Sequence, residues 1–310
     1  MGQPNCRLES IIISCLPEHF VSLTESIYLA TMTQTEFIAA ALKEDIGSGD
    51  YSTLASIDAK AQGKAILKVK EDGILAGVSL AQAIFHYLEP EAKFNLFLND
   101  GTPVKYGDIA FEVTAKVHTI LMAERLSLNC MQRMSGIATL THQFVEKIKN
   151  YPAKILDTRK TTPLFRQFEK EAVVLGGGQN HRMGLYDMVM LKDNHIDYCG
   201  GIEKAITQTQ QYLKENQLSL AIEVETRTLE DVQRVLSVGN VQRIMLDNFK
   251  PEDIKTAVAL INKQCETEAS GGINIDNVVA YAETGVDYIS VGAIIHHAVS
   301  MDLSLKAQLL

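Results

Sequence analysis

Two periods of apolar residues divide the chain into regions of different predicted structure. Thr33 and Glu36 have the spacing of a capping box and precede apolar residues at helical intervals, which predicts a helix that ends at Gly47. The next region predicts a second helix at residues 78–88 and four short strands, at residues 65–69, 73–77, 94–98 and 110–115. Strands and a helix in this order indicate an α+β layer.

A long amphipathic stretch at residues 119–149 follows this layer. The pair Ser135-Gly136 lies in its middle, and glycine is unfavourable inside a helix. We therefore expect an interruption of the helix at these two residues.

Six apolar stretches separated by helix-like segments make up the rest of the chain. The predicted strands lie at residues 155–156, 188–191, 220–224, 243–246, 266–269 and 288–291. Strands that are apolar throughout are typical of parallel sheets covered on both faces, and repeated βα units build such sheets. Six strands are fewer than the eight of a full barrel. The predicted fold class is therefore α/β, a modified, incomplete α/β barrel of about six parallel strands beside the α+β domain, with a doubly wound sheet as the alternative.

The predicted division of the chain has three parts. Residues 1–31 show no sustained period, so they are interpreted as an N-terminal extension to the folded core or as the product of an early start codon. Residues 32–122 form the predicted α+β domain. Residues 123–310 form the predicted barrel with its C-terminal segment.

Composition and charge narrow the class of protein. The 310 residues are 46% hydrophobic and 22% charged, which excludes a disordered or low-complexity chain. The 29 basic and 38 acidic residues give a net charge of −9, so we expect no nucleic acid as partner. No apolar run approaches the roughly 18 residues of a membrane span, so we expect no membrane partner. The five cysteines are widely spaced, which predicts reduced thiols and a cytoplasmic protein.

Polar residues follow each of the six predicted strands. The C-terminal ends of barrel strands surround the active site, so polar residues at all six ends favour a functional site there. The segments are Asp157-Thr158-Arg159-Lys160-Thr161, Lys192-Asp193-Asn194-His195, Glu223 with Glu225, Asp247-Asn248, Ser270-Gly271-Gly272 and Ser290-Val291-Gly292-Ala293.

Positive charges are concentrated in one part of this set. Residues 154–192 contain seven Lys and Arg residues against four Asp and Glu residues, although the whole chain is acidic. Arg159, Lys160 and Lys192 adjoin strand ends, and such groups bind carboxylates and phosphates. We therefore expect a multiply anionic ligand, with backbone amides at the glycines of the last two strand ends available to a phosphate. Glu169-Lys170-Glu171 instead fits a solvated helical face.

Other polar residues have more than one interpretation. Glu225 and Asp247 end neighbouring strands, and they could hold a Mg²⁺ bound to substrate phosphates or pair with the nearby Arg and Lys residues. His181 is a candidate ligand contact, whereas His296-His297 is assigned to a helix or to the barrel rim. Gly176-Gly177-Gly178 follows a helix-like segment and not a strand, which argues against dinucleotide binding.

Six motifs occur in the order that one enzyme family shows. They are Asp157-Thr158-Arg159-Lys160-Thr161, Gly176-Gly177-Gly178-x-Asn180-His181-Arg182, Lys192-Asp193-Asn194-His195, Glu223-Val224-Glu225, Leu246-Asp247-Asn248-Phe249 and Glu268-Ala269-Ser270-Gly271-Gly272. With matching segments at residues 44–50 and 124–129, they make residues 33 to 306 resemble quinolinate phosphoribosyltransferase, the carboxylating nicotinate-nucleotide pyrophosphorylase. The chain departs from the family pattern at Leu164, where Gly is common, and at Ile295-His296-His297, where Thr-His-Ser is common.

The resemblance implies an activity, a fold and an assembly. The activity is transfer of phosphoribose from phosphoribosyl pyrophosphate to the ring nitrogen of quinolinate. It releases pyrophosphate and CO₂ and gives nicotinate mononucleotide for NAD biosynthesis. The fold is a modified barrel of fewer than eight strands with a sandwich-like N-terminal domain, and the assembly is a homodimer or a higher homo-oligomer.

The resemblance also implies roles for individual residues. Quinolinate would contact Arg125 from the neighbouring subunit, Arg159, Lys160, His181, Arg182 and Lys192. Phosphoribosyl pyrophosphate and its Mg²⁺ would contact Glu225, Asp247, Ser270, Gly271, Gly272 and Gly292, with Glu225 and Asp247 as the metal ligands. The catalytic candidates are Lys160, Glu225 and Asp247, because a carboxylate can stabilise a ribosyl cation while an ammonium neutralises the leaving pyrophosphate.

Three other functions remain open from the sequence. Lysines at strand ends would also suit an aldolase-type barrel that forms a Schiff base through Lys160 or Lys192. A related phosphoribosyltransferase with another acceptor is the nearest enzymatic alternative. The third alternative is an anion-binding relative without catalytic activity.

Overall fold

A computed structural model describes residues 32–308, which form a four-stranded antiparallel sheet, a six-stranded parallel sheet, a two-stranded sheet and the helices packed on them. The predicted extension at residues 1–31 lies outside the described residues. The helices are α1 (Gln34–Ile46), α2 (Tyr51–Ser56), α3 (Val78–Leu88), α4 (Val117–Ile148), α5 (Arg166–Leu175), α6 (Asp193–Cys199), α7 (Ile202–Glu215), α8 (Leu229–Val238), α9 (Pro251–Ile261), α10 (Val278–Ala282) and α11 (Ala293–His296). The strands are β1 (Gln62–Val69), β2 (Gly73–Ile74), β3 (Lys93–Leu96), β4 (Pro103–Val104), β5 (Ile109–Lys116), β6 (Lys154–Leu156), β7 (Val189–Leu191), β8 (Ile222–Thr226), β9 (Arg243–Asp247), β10 (Glu266–Ser270), β11 (Tyr288–Ser290) and β12 (Leu303–Gln308). Among residues 32–308, no helix combines the length and the apolar character that crossing a membrane requires.

The antiparallel sheet has the strand order β12-β1-β5-β3, and its edge strand β12 comes from the far end of the chain. The strand β12 pairs with β1 from Lys64 opposite Gln308 to Val69 opposite Leu303. The predicted boundary between residues 122 and 123 lies inside α4.

The predicted capping box is confirmed, since the Glu36 amide donates to Thr33 Oγ1 at 3.2 Å.

Three of the four strands predicted in this region are confirmed as β1, β3 and β5, and the predicted helix at residues 78–88 is confirmed as α3. The strand predicted at residues 73–77 is too long. Only Gly73 and Ile74 pair with β4. The Leu75 amide still donates to the Thr102 carbonyl at 3.0 Å, but the Ala76 amide donates to Ser135 Oγ at 2.9 Å instead of continuing the pairing.

The predicted interruption at Ser135-Gly136 is wrong, because α4 is one continuous helix of 32 residues. Ser135 Oγ also donates to the Ala76 carbonyl at 3.1 Å, so the hydroxyl joins the helix to the segment before α3. A Cβ atom on Gly136 would lie 2.0 Å from the Val299 carbonyl oxygen. Glycine is therefore required here by a chain segment that crosses the helix, and not by a break in it.

All six predicted parallel strands are present, in the order β6-β11-β10-β9-β8-β7. From β7 to β11, neighbouring strands of this sheet are also consecutive in the sequence. Strand β6, the first of the six in the sequence, pairs with β11, the last of the six. A doubly wound sheet would instead reverse direction at its first strand. The prediction of an incomplete α/β barrel is therefore confirmed. The barrel is open between β6 and β7, where Gln179 forms a bridge with Leu156 on β6.

The expectation of a solvated face at Glu169-Lys170-Glu171 is wrong for its first two residues. Glu169 and Lys170 are completely buried, while Glu171 is exposed. Lys170 Nζ lies 2.5 Å from Asp157 Oδ1, and the Arg133 guanidinium lies 2.8 Å from Glu169 Oε1. Burial of these charges is tolerated because each one has an oppositely charged partner.

Candidate active site

Two adjoining cavities lie at the C-terminal ends of the parallel strands. The first, which we call the cationic cavity, has a volume of about 570 Å³ and is lined by four positively charged residues: Arg159, Lys160, Arg182 and Lys192. The second, which we call the glycine cavity, has a volume of about 540 Å³ and is lined by three glycines: Gly271, Gly272 and Gly292. The residues that line both cavities are Thr158, Lys160, Asp247, Ser270 and Ser290.

The two arginines of the cationic cavity differ in their hydrogen bonds: Arg182 donates to the protein, whereas Arg159 has a buried donor without a partner among the described residues. Arg182 is 8% exposed, and its Nη1 donates to the Met188 carbonyl at 3.1 Å. Burial lowers the pKa of Arg182, and the charge of Arg159 lowers it further. Arg159 Nε is buried and has no hydrogen-bond partner among the described residues. Leaving such a donor unpaired costs about 1–3 kcal/mol, so the site favours an anionic acceptor supplied by a ligand.

His181 lies at the floor of the cationic cavity between two buried carboxylates. Its Nε2 is 2.9 Å from Glu223 Oε2 and 3.4 Å from Glu268 Oε2. Burial lowers the pKa of His181, but the two carboxylates outweigh it and raise the pKa to about 9. The Arg182 amide, which donates to Nδ1 at 2.7 Å, acts in the opposite sense because that contact requires a neutral ring.

The buried network around His181 extends across four strands, β8 to β11. Arg243 Nη1 donates to Glu268 Oε2 at 3.1 Å, and the Ser290 hydroxyl donates to Glu268 Oε1. Burial raises the pKa of Glu223 to about 7, and the nearby charge of Glu268 acts in the same direction. The partners of His181 were not identified as site residues from the sequence. The available signals were the Glu223-Val224-Glu225 pattern near the end of β8 and the Glu268-Ala269-Ser270 pattern at the end of β10.

Glu225 and Asp247 lie side by side at the ends of β8 and β9, and both line the cationic cavity. Burial raises the pKa of Glu225, the neighbouring Asp247 carboxylate raises it further, and Lys192 opposes the shift. Within residues 32–308, neither carboxylate forms a salt bridge with an Arg or Lys residue. This leaves two adjacent hard oxygen donors, a set that fits a divalent cation.

The glycine cavity is built from residues whose backbone a ligand can approach closely. Gly271 has φ of +96°, and a Cβ atom there would lie 2.2 Å from Asn248 Oδ1, so no other residue fits this turn. A Cβ atom on Gly292 would lie 3.0 Å from His296 Nε2 and 3.1 Å from Lys160 Cδ. His296, which we assigned to a helix or to the rim, is the last residue of α11 and also lines this cavity. Burial lowers its pKa, as do the neighbouring His297 and Lys160.

Of the predicted site residues, all but Arg125 line one or both cavities. The cationic cavity contains Arg159, Lys160, His181, Arg182, Lys192, Glu225, Asp247 and Ser270, and the glycine cavity adds Gly271, Gly272 and Gly292. Arg125 is an exposed residue of α4 and lines neither cavity. Thr158, Asn194 and Ser290 are further polar lining residues, which belong to the strand-end segments found in the sequence but were given no individual role there.

Comparison with known families matches most of the described chain. The model of the quinolinate phosphoribosyl transferase N-terminal domain matches residues 50–135, and that of the C-terminal domain matches residues 137–306.

Individual relatives agree with these matches. Quinolinate phosphoribosyltransferase [decarboxylating] 1b of Nicotiana tabacum is 45% identical, over 87% of this chain and 81% of its own length. The chloroplastic nicotinate-nucleotide pyrophosphorylase [carboxylating] of Arabidopsis thaliana is also 45% identical, with the same coverage. The crystal structure of NadC from Streptococcus pyogenes has a TM-score of 0.84 at 40% identity, covering 89% of this chain and 96% of that one.

Proposed function

This chain belongs to the quinolinate phosphoribosyltransferase family, and we propose that it carries out the reaction of that family in the two adjoining cavities. Phosphoribose is transferred from phosphoribosyl pyrophosphate to the ring nitrogen of quinolinate, and pyrophosphate and CO₂ leave. The observation that carries the proposal is the union of the cationic cavity with the glycine cavity through a shared wall that includes Lys160 and Asp247.

The cationic cavity suits an acceptor with two carboxylates. Arg182 is already hydrogen-bonded and nearly buried, while Arg159 retains a buried donor without a partner. Lys192 adds a third positive charge on the same wall. One carboxylate would leave part of this charge without a partner, which is costly in a site with little water. We therefore assign quinolinate to this cavity, with His181 at its floor.

The glycine cavity suits the phosphates of the donor. The three glycines allow phosphate oxygens to reach backbone amides, and Lys160 and His296, whose side chains lie beside Gly292, provide side-chain contacts. Asp247, which borders both cavities, and Glu225, which lines the cationic cavity, would hold Mg²⁺. Bound there with the donor, Mg²⁺ would neutralise charge on the leaving pyrophosphate.

The reaction needs orientation and electrostatics from the chain more than it needs a general base. When the bond between C1 of ribose and pyrophosphate breaks, positive charge develops on the ribose, and the Glu225 or Asp247 carboxylate can stabilise it. Lys160 borders both cavities, which supports a role for its ammonium in neutralising the departing pyrophosphate. When the adjacent carboxylate leaves as CO₂, the electron pair of the broken C–C bond stays on the ring carbon, where the neighbouring positive nitrogen stabilises it, and that carbon then takes up a proton from solvent.

Arg125 is the one predicted ligand that its own chain does not bring to the site. Its exposure on α4 supports a role across the interface of a homodimer, in the quinolinate site of the partner. In a two-fold dimer, the same helix surface would complete both sites.

The compartment is a separate part of the proposal. The described cysteines, Cys130, Cys199 and Cys265, are free thiols, which supports a reducing compartment such as the cytoplasm. The relative from Arabidopsis thaliana is named as chloroplastic, so targeting differs within the family.

Product analysis with alternative acceptors tests the assignment. The purified protein is given phosphoribosyl pyrophosphate and Mg²⁺ with quinolinate or nicotinate, and nicotinate mononucleotide, pyrophosphate and CO₂ are measured. We expect quinolinate to be preferred by about a thousandfold or more, because nicotinate leaves a buried cation unpaired. Comparable turnover of the two acceptors, or turnover of neither, would contradict the proposal. A carbonyl substrate trapped on Lys160 or Lys192 by borohydride would favour an aldolase instead.

A further inference from the structure

Arg133 lies outside both cavities but contacts the segment of α11, which forms part of the glycine cavity. It is a residue of α4, and its side chain is 23% exposed. Arg133 Nη1 donates to the Ala298 carbonyl at 3.0 Å, and Nη2 donates to the Ile295 carbonyl at 2.8 Å. These carbonyls lie in and just after α11, which carries His296 and follows Gly292. The guanidinium therefore holds one wall of the glycine cavity from behind.

The same guanidinium is joined to the opposite wall through Glu169. Arg133 Nε and Nη2 donate to Glu169 Oε1 at 2.9 and 2.8 Å. The Thr162 amide donates to Glu169 Oε2 and the Thr162 hydroxyl to Oε1, both at 2.8 Å. Thr162 follows the segment 158–161, which carries Lys160. One buried carboxylate thus connects this loop to Arg133 and, through it, to α11.

We propose that the Arg133–Glu169 ion pair is a positioning element that sets the distance between the two walls of the glycine cavity, and so determines affinity for the phosphates of the donor. The inference rests on the proposed function, because it takes the glycine cavity as the donor site. Neither residue lines a cavity, so both act through Lys160 on one wall and Gly292 and His296 on the other.

The walls are close enough for a small displacement to matter. Gly292 leaves about the space of one missing Cβ between Lys160 and His296, since that atom would lie 3.1 and 3.0 Å from them. Residues 158–162 form neither helix nor strand, so no regular backbone hydrogen bonding fixes this loop, and side-chain contacts are needed to position it. A displacement of about 1 Å at a reacting group can cost as much as a hundredfold in rate.

The test compares substitutions in this pair with a substitution in a more exposed ion pair that has similar hydrogen-bond distances and lines neither cavity. Arg133→Ala, Arg133→Lys and Glu169→Gln are the test variants. The control is Glu203→Gln, because Glu203 accepts two hydrogen bonds from Arg234 at 2.8 and 2.6 Å, between α7 and α8. For each variant, KM and kcat are measured for both substrates. Binding of phosphoribosyl pyrophosphate with Mg²⁺ and binding of quinolinate are measured by calorimetry, and Tm is recorded.

We expect Arg133→Ala and Glu169→Gln to raise the KM and Kd for phosphoribosyl pyrophosphate by roughly tenfold to a hundredfold. The Kd for quinolinate should change by less than about twofold, because the cationic cavity keeps its own contacts. Arg133→Lys retains the charge but cannot bridge Glu169 and both carbonyls, so it should fall between Arg133→Ala and the wild type. Glu203→Gln should match the wild type in both constants.

A purely structural role would lower Tm and the amount of active protein, with the two KM values unchanged or changed together. That result, or unchanged donor affinity in folded Glu169→Gln, would overturn the inference. Failure of the proposed function is separate, since it would appear in the wild type as an absence of turnover with quinolinate.

Discussion

Several charged side chains beneath the cationic cavity are completely buried, and oppositely charged or hydrogen-bonding partners stabilise each of them. Lys170 is the clearest case. Its Nζ contacts Asp157 Oδ1 and donates to the His181 carbonyl at 3.0 Å, while Asp157 Oδ1 accepts the His181 amide at 2.8 Å. Burial lowers the pKa of Lys170 and raises that of Asp157, and each charge offsets the effect on the other. The pair therefore fixes the backbone that presents His181.

Replacing Lys170 should be costly for stability. We expect Lys170→Met to lower the free energy of unfolding by about 3–5 kcal/mol, because Asp157 would be left buried without its partner. Chemical denaturation measures the change. Lys149→Met is the matched control, since Lys149 pairs with Glu146 in an exposed position, and it should cost less than about 0.5 kcal/mol. Equal effects of the two substitutions would show that the buried pair does not stabilise the fold.

The titration of His181 should depend on Glu268. Glu268→Gln removes one of the two carboxylates that raise the pKa of His181, so that pKa should fall from about 9 towards 6.5. In this variant Glu223 remains beside the His181 ring, and Arg243 remains beside the side chain at position 268. NMR titration of the His181 ring in both proteins measures the shift. An unchanged titration would mean that Glu268 does not interact with the ring.

The same shift has a consequence for stability. A histidine whose folded pKa lies above its unfolded value stabilises the fold fully below the unfolded pKa, near 6.5, and loses that contribution as the pH rises through the folded value. We therefore expect the wild type to lose more stability than Glu268→Gln between pH 6.5 and 9. Denaturation curves across this range provide the measurement, and parallel curves would contradict the expectation.

At the scale of elements, α4 connects the two sheets without a break. Its buried face packs against α3 and β2 on one side and against α5 on the other. Gly136 lies at the point where residues 299 and 300 cross this helix.

Gly136→Ala should destabilise the protein, although alanine favours helices. The gain in helix propensity is about 1 kcal/mol, whereas a Cβ atom 2.0 Å from the Val299 oxygen forces the crossing segment to move. We expect a net loss of at least about 1–2 kcal/mol in the free energy of unfolding. Lys147→Ala, an exposed position of the same helix, should change stability by less than about 0.5 kcal/mol. An increase in Tm for Gly136→Ala would contradict this account.

The sequence predicted elements well where local pattern determines them. Apolar runs located all six barrel strands, and polar residues at their ends located the residues of both cavities. The errors at Gly136 and Lys170 have one cause, which is a partner distant in the sequence. A glycine that breaks a helix and a glycine that admits a crossing chain look alike locally. A charged helical segment likewise does not reveal that Arg133 and Asp157 lie beneath it.

At the scale of the whole molecule, mixed dimers of two variants test whether Arg125 completes the quinolinate site of the partner subunit. Arg125→Ala and Arg159→Ala proteins should each be inactive if Arg125 acts in the site of the partner. After the subunits are dissociated and mixed, each mixed dimer has one doubly altered site and one intact site. Random pairing should therefore restore roughly a quarter of wild-type activity. No recovery, with mixed dimers demonstrated by mass spectrometry, would place Arg125 in its own subunit's site or outside the reaction.

The pairing of β12 with β1 also affects how the chain is made. Large proteins generally fold during synthesis with the N-terminal part first. Here the antiparallel sheet lacks its edge strand until residues 303–308 have left the ribosome, after the whole barrel has been translated. During that interval β1 presents an unpaired edge on the nascent chain, and such an edge can pair with other strands. Completion of the antiparallel sheet is thus delayed until the barrel has been translated, and the edge of β1 can pair wrongly throughout that interval.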